Sequence, residues 1–353
     1  MYSKKKSLFW LLGLIAGWLF LAAFLVWFFD PFYQYHAPFF GMEAVFQDRD
    51  NQMPGSVRNL SYDSVLMGSS LAENFDSSFL DRQYGCHTLK IIRASGSAAD
   101  LLYYLDMARE SHELKNVFWC LDLSAMDASP EHTLFDETVP RYLHTETILD
   151  DGTYLWNKDI LFQTIPLNLA YGQMGRNTGG HAYDWSQGKE FSARMAMLAY
   201  EKPRERVLTE RDFTGQKENV LANLEQITIR IKDHPETMYR FFFPLYSMNW
   251  WDCAYVNGEL EEKFYILEQT LPMLLSCDNV EVYYFQDEEE IICNLDNYMD
   301  MIHYSPTVSQ YILDKMASGE GRLTRENWQE AVERMRDLAG RITDELIYRY
   351  YSR

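Results

Sequence analysis

Cysteine is scarce in this 353-residue chain. The five thiols, Cys86, Cys120, Cys253, Cys277 and Cys293, form no Cys-x-x-Cys pair and no Cys/His set with ligand spacing. That excludes a disulfide-stapled scaffold and a zinc-ribbon pattern. A Cys277–Cys293 bridge stays open, and the odd total leaves at least one thiol unpaired. Basic charge is also short: 32 Lys and Arg stand against 52 Asp and Glu, a net charge of −20. A chain of that balance is a poor partner for nucleic acid or anionic lipid through a general basic field. No repeat and no low-complexity tract appears. Six of the eight histidines are scattered without ligand spacing, so no metal is expected. His36, in an aromatic stretch, reads as an interfacial side chain. Aromatics, in contrast, are plentiful (24 Tyr, 21 Phe, 9 Trp), enough for a sizeable core and for stacking on sugar rings.

Long apolar runs are missing but for one. Leu8 to Phe29, LFWLLGLIAGWLFLAAFLVWFF, holds 22 residues without a charge. At 1.5 Å per residue it is about 33 Å long, enough for a bilayer core of ~30 Å. Lys4, Lys5 and Lys6 precede it, so the positive-inside rule keeps residues 1–7 in the cytoplasm and everything from Asp30 outside. A cleaved signal peptide is the competing reading. Its apolar core would be about 7–15 residues and would end at small side chains, whereas this run is longer and ends in WFFDP. The expectation is an uncleaved signal anchor at 8–29, followed by an extended, aromatic membrane-proximal stem at 30–60.

From residue 61 onward, short apolar runs alternate with helix-compatible polar sequence. SYDSVLM (61–67), TLKIIR (88–93), NVFWCLDL (116–123), MYRFFFPLY (238–246) and NVEVYYF (279–285) read as strands. Apolar runs of that length alternating with helices predict an α/β fold with a parallel sheet of five strands, covered on both faces. The stretch from about 130 to 232 breaks the rhythm with Gly, Asn and aromatics. It reads as a cap-like insertion or substrate rim ending in a helix over 214–232. Ser305, Pro306 and Gly319 mark the start and stop of another helix, and a last one is expected over 325–350.

Two short segments carry chemistry. In VLMGSSLAENF (65–75) the first strand stops at Gly68-Ser69-Ser70, where a helix begins. Sites in open α/β sheets form at the carboxyl ends of strands, and a serine there has helix N–H groups beside it for an oxyanion. The plain reading is a helix cap. In NLDNYMDMIHYSP (294–306), Asp300 precedes His303 by three residues, just after the fifth strand. A serine nucleophile needs a base, and the base needs a carboxylate to fix its tautomer. The plain reading here is a surface turn, but both segments fall on the same edge of the predicted sheet. Glu73 reads as a first-turn acid favoured by the helix dipole. Tyr246 and Ser247, after the fourth strand, are candidates for the acyl pocket.

The combination resembles the SGNH/GDSL hydrolase superfamily. Its first block puts the nucleophile at the third position of Gly-x-Ser, here Ser70, and its last is a DxxH, here Asp300 and His303. The resemblance implies a three-layer, flavodoxin-like α/β/α domain over 61–353. It also implies an oxyanion hole from the N–H groups of Ser70 and Gly96, the glycine of RASGSAAD. The third block normally ends in Gly-x-Asn-Asp, whereas this chain has CLDLSAMD, with Asp122 at about the Asn position. An ionised carboxylate cannot donate; Asn74, one helical turn beyond Ser70, is a candidate substitute donor, with packing on the helix surface as its plain reading. The anchor and the GSS block are similar to bacterial cell-envelope members acting in D-alanyl-lipoteichoic-acid assembly and alginate O-acetylation. What this implies is a cofactor-free O-acyl esterase or acyltransferase on a cell-envelope glycopolymer, outside the cytoplasmic membrane of a bacterium. A multipass membrane acyl-transfer partner follows from the same analogy. A non-catalytic tethered scaffold is the alternative, favoured by Asp122, and a lipase near the bilayer is a third reading.

Overall fold

The computed structural model describes residues 2–133, 139–145, 147, 150–200 and 211–351. The chain divides into two compact units, residues 1–61 with 135–183 and residues 62–134 with 184–353.

The second unit holds the sheet. Its principal elements, in chain order, are β1 (Ser64–Gly68), α1 (Ser77–Tyr84), β2 (Thr88–Ile92), α2 (Ala98–Ser111), β3 (Asn116–Cys120), α3 (Thr214–Asp233), β4 (Met238–Phe242), α4 (Leu260–Leu275), β5 (Val280–Tyr283), α5 (Pro306–Ser318), β6 (Arg322–Leu323) and α6 (Trp328–Arg341), with shorter helices such as Met248–Val256 between them. The strand order is β2-β1-β3-β4-β5-β6. The five anticipated strands are mutually parallel, with Ser64 opposite both Thr88 and Asn116. The sheet as a whole is nevertheless mixed, because β6 pairs antiparallel with β5. That corrects the expectation of a purely parallel five-stranded sheet. The sixth strand is two residues long and carries no alternation to read. It is set by Gly319 and Gly321, whose φ of 78° and 73° turn the chain back after α5.

Every residue of β1, β2 and β3 is buried, which requires cover on both faces. One group of helices packs α1 with α5, and another packs α3 with α2 and α4, and α4 with α6. Local signals place the helices well. Ser97 and Asp100 close a capping box at the start of α2, and Gly319 ends α5 in the left-handed conformation. Ser305 occupies the N-cap position, but its side chain makes no capping bond. The last helix starts at Trp328, passes through a π-turn at Ile342–Leu346 and resumes at Tyr348–Tyr351, covering most of the expected stretch. Cys277 and Cys293 are free thiols, so the bridge between them is not formed.

One strand residue is out of character. Lys90 on β2 is 2% exposed, and its ammonium donates to the Glu73 carbonyl at 2.7 Å. Burial pulls its pKa down to about 8, against the carboxylates of Asp184, Asp76 and Glu73, which hold it up. Lys90→Met strands that carbonyl and the nearby acids, so it is expected to cost about 1–3 kcal/mol, measured by urea unfolding.

The first unit is built on a long N-terminal helix, Tyr2–Phe29. Its segment Lys5–Phe29 is long and apolar enough to cross a membrane. The stem that follows is folded rather than extended. Asp30 is 1% exposed, and its carboxylate accepts the N–H groups of Gln34, Tyr35 and His36 at 2.7–3.0 Å and the Tyr154 hydroxyl at 2.8 Å. His36 bonds the carbonyls of Trp27 and Ala37 and stacks on Phe39. A helix at Arg49–Asn59, capped by Asp48, completes the stem. The insertion expected at about 130–232 is split between the units. Its first part supplies helices at Asp151–Leu155 and Ile165–Met174 to this unit. Val26, Phe32, Leu143, Tyr154, Ile160 and Ile165 form the core here.

Candidate active site

Gly68 ends β1 because nothing larger fits. A Cβ there would stand 2.7 Å from the Ala72 Cβ and 3.0 Å from the Cys120 Cβ. The chain then enters a single 3-10 turn, Ser70–Ala72. The two serines divide their roles. Ser69 is the cap, 5% exposed, accepting the Leu71 N–H at 3.3 Å and donating to the Asp122 carboxylate at 3.0 Å. Ser70 is left free of capping, and its Oγ lies 2.9 Å from His303 Nε2. Its own N–H, first in the turn, has no intrahelical acceptor.

His303 and Asp300 come from the loop after β5. Asp300 folds that loop on itself. One carboxylate oxygen accepts the N–H groups of Ile302 and His303 at 2.9 and 2.7 Å. The other lies 2.7 Å from His303 Nδ1. A carboxylate only accepts, so Nδ1 carries the proton, and Nε2 of the neutral ring is left to accept from Ser70 Oγ–H. Burial alone would raise the Asp300 carboxyl. The bonds from the His303 ring, the His303 N–H and the Ile302 N–H outweigh it and hold the group below its ordinary value.

Neighbouring residues hold this loop. The Ser247 hydroxyl donates to the Met301 carbonyl at 2.6 Å, and the Tyr304 hydroxyl donates to the Leu71 carbonyl at 3.1 Å. The latter ties the histidine loop directly to the serine turn. Tyr246 donates to the Asp122 carboxylate and accepts the Leu123 N–H at 3.0 Å. Burial, with Asp122 beside it, pushes the Tyr246 phenol well up, so it stays a donor. Tyr246 and Ser247 are 1% and 0% exposed. They therefore brace the loops from within instead of lining an acyl pocket, the place expected for them. Asp122 caps the turn after β3 and is bonded to Ser69, Tyr246 and Ser124. It joins the two sides of the crevice between β1 and β3, where the strand order reverses and ligands bind in such sheets.

The oxyanion candidates are placed differently from one another. Gly96 sits in a turn whose N–H donates to the Arg93 carbonyl at 3.0 Å, and a Cβ there would meet Arg93 Cγ at 2.6 Å. Its N–H is thus already engaged. Asn74 accepts the Trp185 N–H at 3.2 Å through Oδ1, while its buried Nδ2 has no partner among the described residues. Glu73 is 5% exposed beside Lys90.

Trp185 is the residue that sequence reasoning missed. Its indole N–H donates to the Ser70 carbonyl at 3.1 Å, and its ring meets His303 edge-on, 5.2 Å between centroids. The only signal was a single tryptophan within the Gly-rich stretch RNTGGHAYDWSQGKE. Among the described residues, no cluster of three or more His, Cys, Asp or Glu is placed to hold a metal ion.

Compared with models of protein families, with curated proteins and with solved structures, the chain matches none.

Proposed function

We propose that this chain is a membrane-anchored serine enzyme of SGNH type, an O-acyl esterase or acyltransferase acting on acylated hydroxyls of a cell-envelope glycopolymer. One observation carries the reading: the Ser70–His303–Asp300 relay, at 2.9 and 2.7 Å, from two loops at one edge of the sheet. Ser70 Oγ attacks the acyl carbon as its proton passes to His303 Nε2. The tetrahedral intermediate collapses, the ester C–O bond breaks, and His303 returns the proton to the departing alcohol. The acyl-Ser70 ester is then attacked by water, or by an acceptor hydroxyl, with His303 again taking the proton. Asp300 keeps the ring in the tautomer both halves need.

The polymer and the extracytoplasmic side follow from the resemblance, the spanning-length helix and the lysines before it. A multipass membrane protein as acyl donor belongs to the same analogy. The test is labelling of the full chain in detergent with a serine-reactive fluorophosphonate, followed by peptide mapping. One adduct on Ser70, absent in Ser70→Ala and His303→Ala, is the expected result. A folded wild-type chain that takes no label would instead favour a tethered scaffold without chemistry.

A further inference from the structure

The unit built on the N-terminal helix exposes apolar side chains that water does not favour. Phe162 and Met174 are 73% and 74% exposed, Trp156 is 56% and Leu167 is 46%. They lie on one continuous segment, through a break at 156–157, a short helical start at 158–159, a π-turn at Ile160–Thr164 and a helix at Ile165–Met174. The segment runs beside the spanning-length helix. Trp156 Nε1 donates to the Leu19 carbonyl at 2.9 Å. Trp18, Leu19 and Leu25 line a cavity of about 610 Å³ with Leu155, Leu161 and Phe162.

These contacts fix a depth. Leu19 lies ten residues before Phe29, about 15 Å along the helix axis, or roughly half of a ~30 Å bilayer core. Side chains that meet the helix at Leu19 therefore share its surroundings. The segment itself is too short to span. Ile160 to Met174 is 15 residues, about 22 Å as helix, and Gln163, Asn168 and Gln173 interrupt it. Asn157 and Lys158 line that same cavity; Lys158 and Asp159 are exposed, and the lysine stem is long enough to carry its charge outward along the spanning helix. A segment too short to span, apolar on its exposed side and held at that depth suits an element inserted in one leaflet.

We propose that residues 154–174 are a second membrane element, lying in the leaflet that surrounds the C-terminal half of the spanning helix, with Trp156, Phe162, Leu167 and Met174 among the acyl chains. The proposal rests on that helix crossing the bilayer and is independent of the serine chemistry. Its consequence is an anchor with two lipid contacts, which restricts rotation about the single span.

The full chain is reconstituted in vesicles of phosphatidylcholine with a minority of phosphatidylglycerol. An environment-sensitive fluorescent amino acid is placed at position 162 or 167, at 20 in the anchor, or at 221, an apolar position of the sheet unit that is 45% exposed. Chains are compared only where their circular dichroism matches the wild type. Lipids brominated on the acyl chain should quench 162, 167 and 20 several-fold more than 221. Quenching at 20 but none above the level of 221 at 162 and 167 overturns the proposal. So does a blue-shifted but unquenched probe there, which would mean that a protein surface or a second copy covers the segment. No quenching at 20 either removes the spanning helix and the proposal with it, leaving the serine reading untouched.

Discussion

Asp300→Asn is expected to lower turnover of an activated ester such as p-nitrophenyl acetate by about 10⁴-fold, the scale seen when a triad carboxylate becomes an amide. The geometry says why so small a change matters. Asp300 Oδ1 is held by the N–H groups of Ile302 and His303. An amide must keep its oxygen on those donors, so its NH₂ is turned toward His303 Nδ1. Two donors cannot share that contact. The ring moves its proton to Nε2, the atom that must accept from Ser70. The loop should keep its shape, because the backbone bonds survive. The variant should therefore lose kcat with little change in KM. A loss under about ten-fold would show that Ser70 is not activated through this ring. The sign of the acid dependence follows from the same carboxylate. Its folded pKa is lowered, so the stability it lends is present above its unfolded value and is lost as pH falls through the folded one, below about pH 4. The Asn variant should show a shallower fall in thermal midpoint across that range.

The sheet was legible because its strands are buried on both faces and so read as unbroken apolar runs; SVLMG, TLKII and NVFWC stand out for that reason. The serine and the DxxH loop were legible because each lies immediately after such a run, where the chain must turn at the same sheet edge. The edge strand at Arg322–Leu323 has no such signature, since two residues cannot show a period. The stem misled for a different reason. DPFYQYHAP has the composition of an extended linker, yet Asp30 folds it by accepting three backbone N–H groups, and its fourth partner, Tyr154, is 124 residues away. Trp185 was invisible on the same ground. Its two bonds, to Ser70 and Asn74, exist only once a loop more than a hundred residues downstream returns to the serine turn. Local pattern reports faces and caps; it does not report which distant loop closes over a site.

Asn74→Ala is expected to reduce kcat by 10²–10³-fold, the cost of one oxyanion donor, with KM nearly unchanged. The reasoning starts from what the other donors do. Asp122 is fully bonded and, as a carboxylate, has no hydrogen to offer, and the Gly96 N–H closes its own turn on Arg93. That leaves the Ser70 N–H and the Asn74 amide. A buried amide nitrogen without an acceptor costs roughly 1–3 kcal/mol, so native proteins rarely keep one unless a ligand or a reaction uses it. Trp185 fixes the amide's direction by donating to its Oδ1, and Nδ2 is left buried without an acceptor among the described residues; its hydrogens are the proposed donors to the oxygen that becomes charged. A purely structural role, in which Asn74 only holds Trp185, makes a different prediction. Asn74→Asp keeps the acceptor for the Trp185 N–H and removes only the donor. If Asn74 supplies the oxyanion bond, the Asp variant fails as badly as the Ala variant, and the added negative charge makes it worse. If it only positions Trp185, the Asp variant retains most of the wild-type rate. Steady-state kinetics on the pair, with the Trp185→Phe variant beside them to report loss of the indole bond alone, separates the two roles.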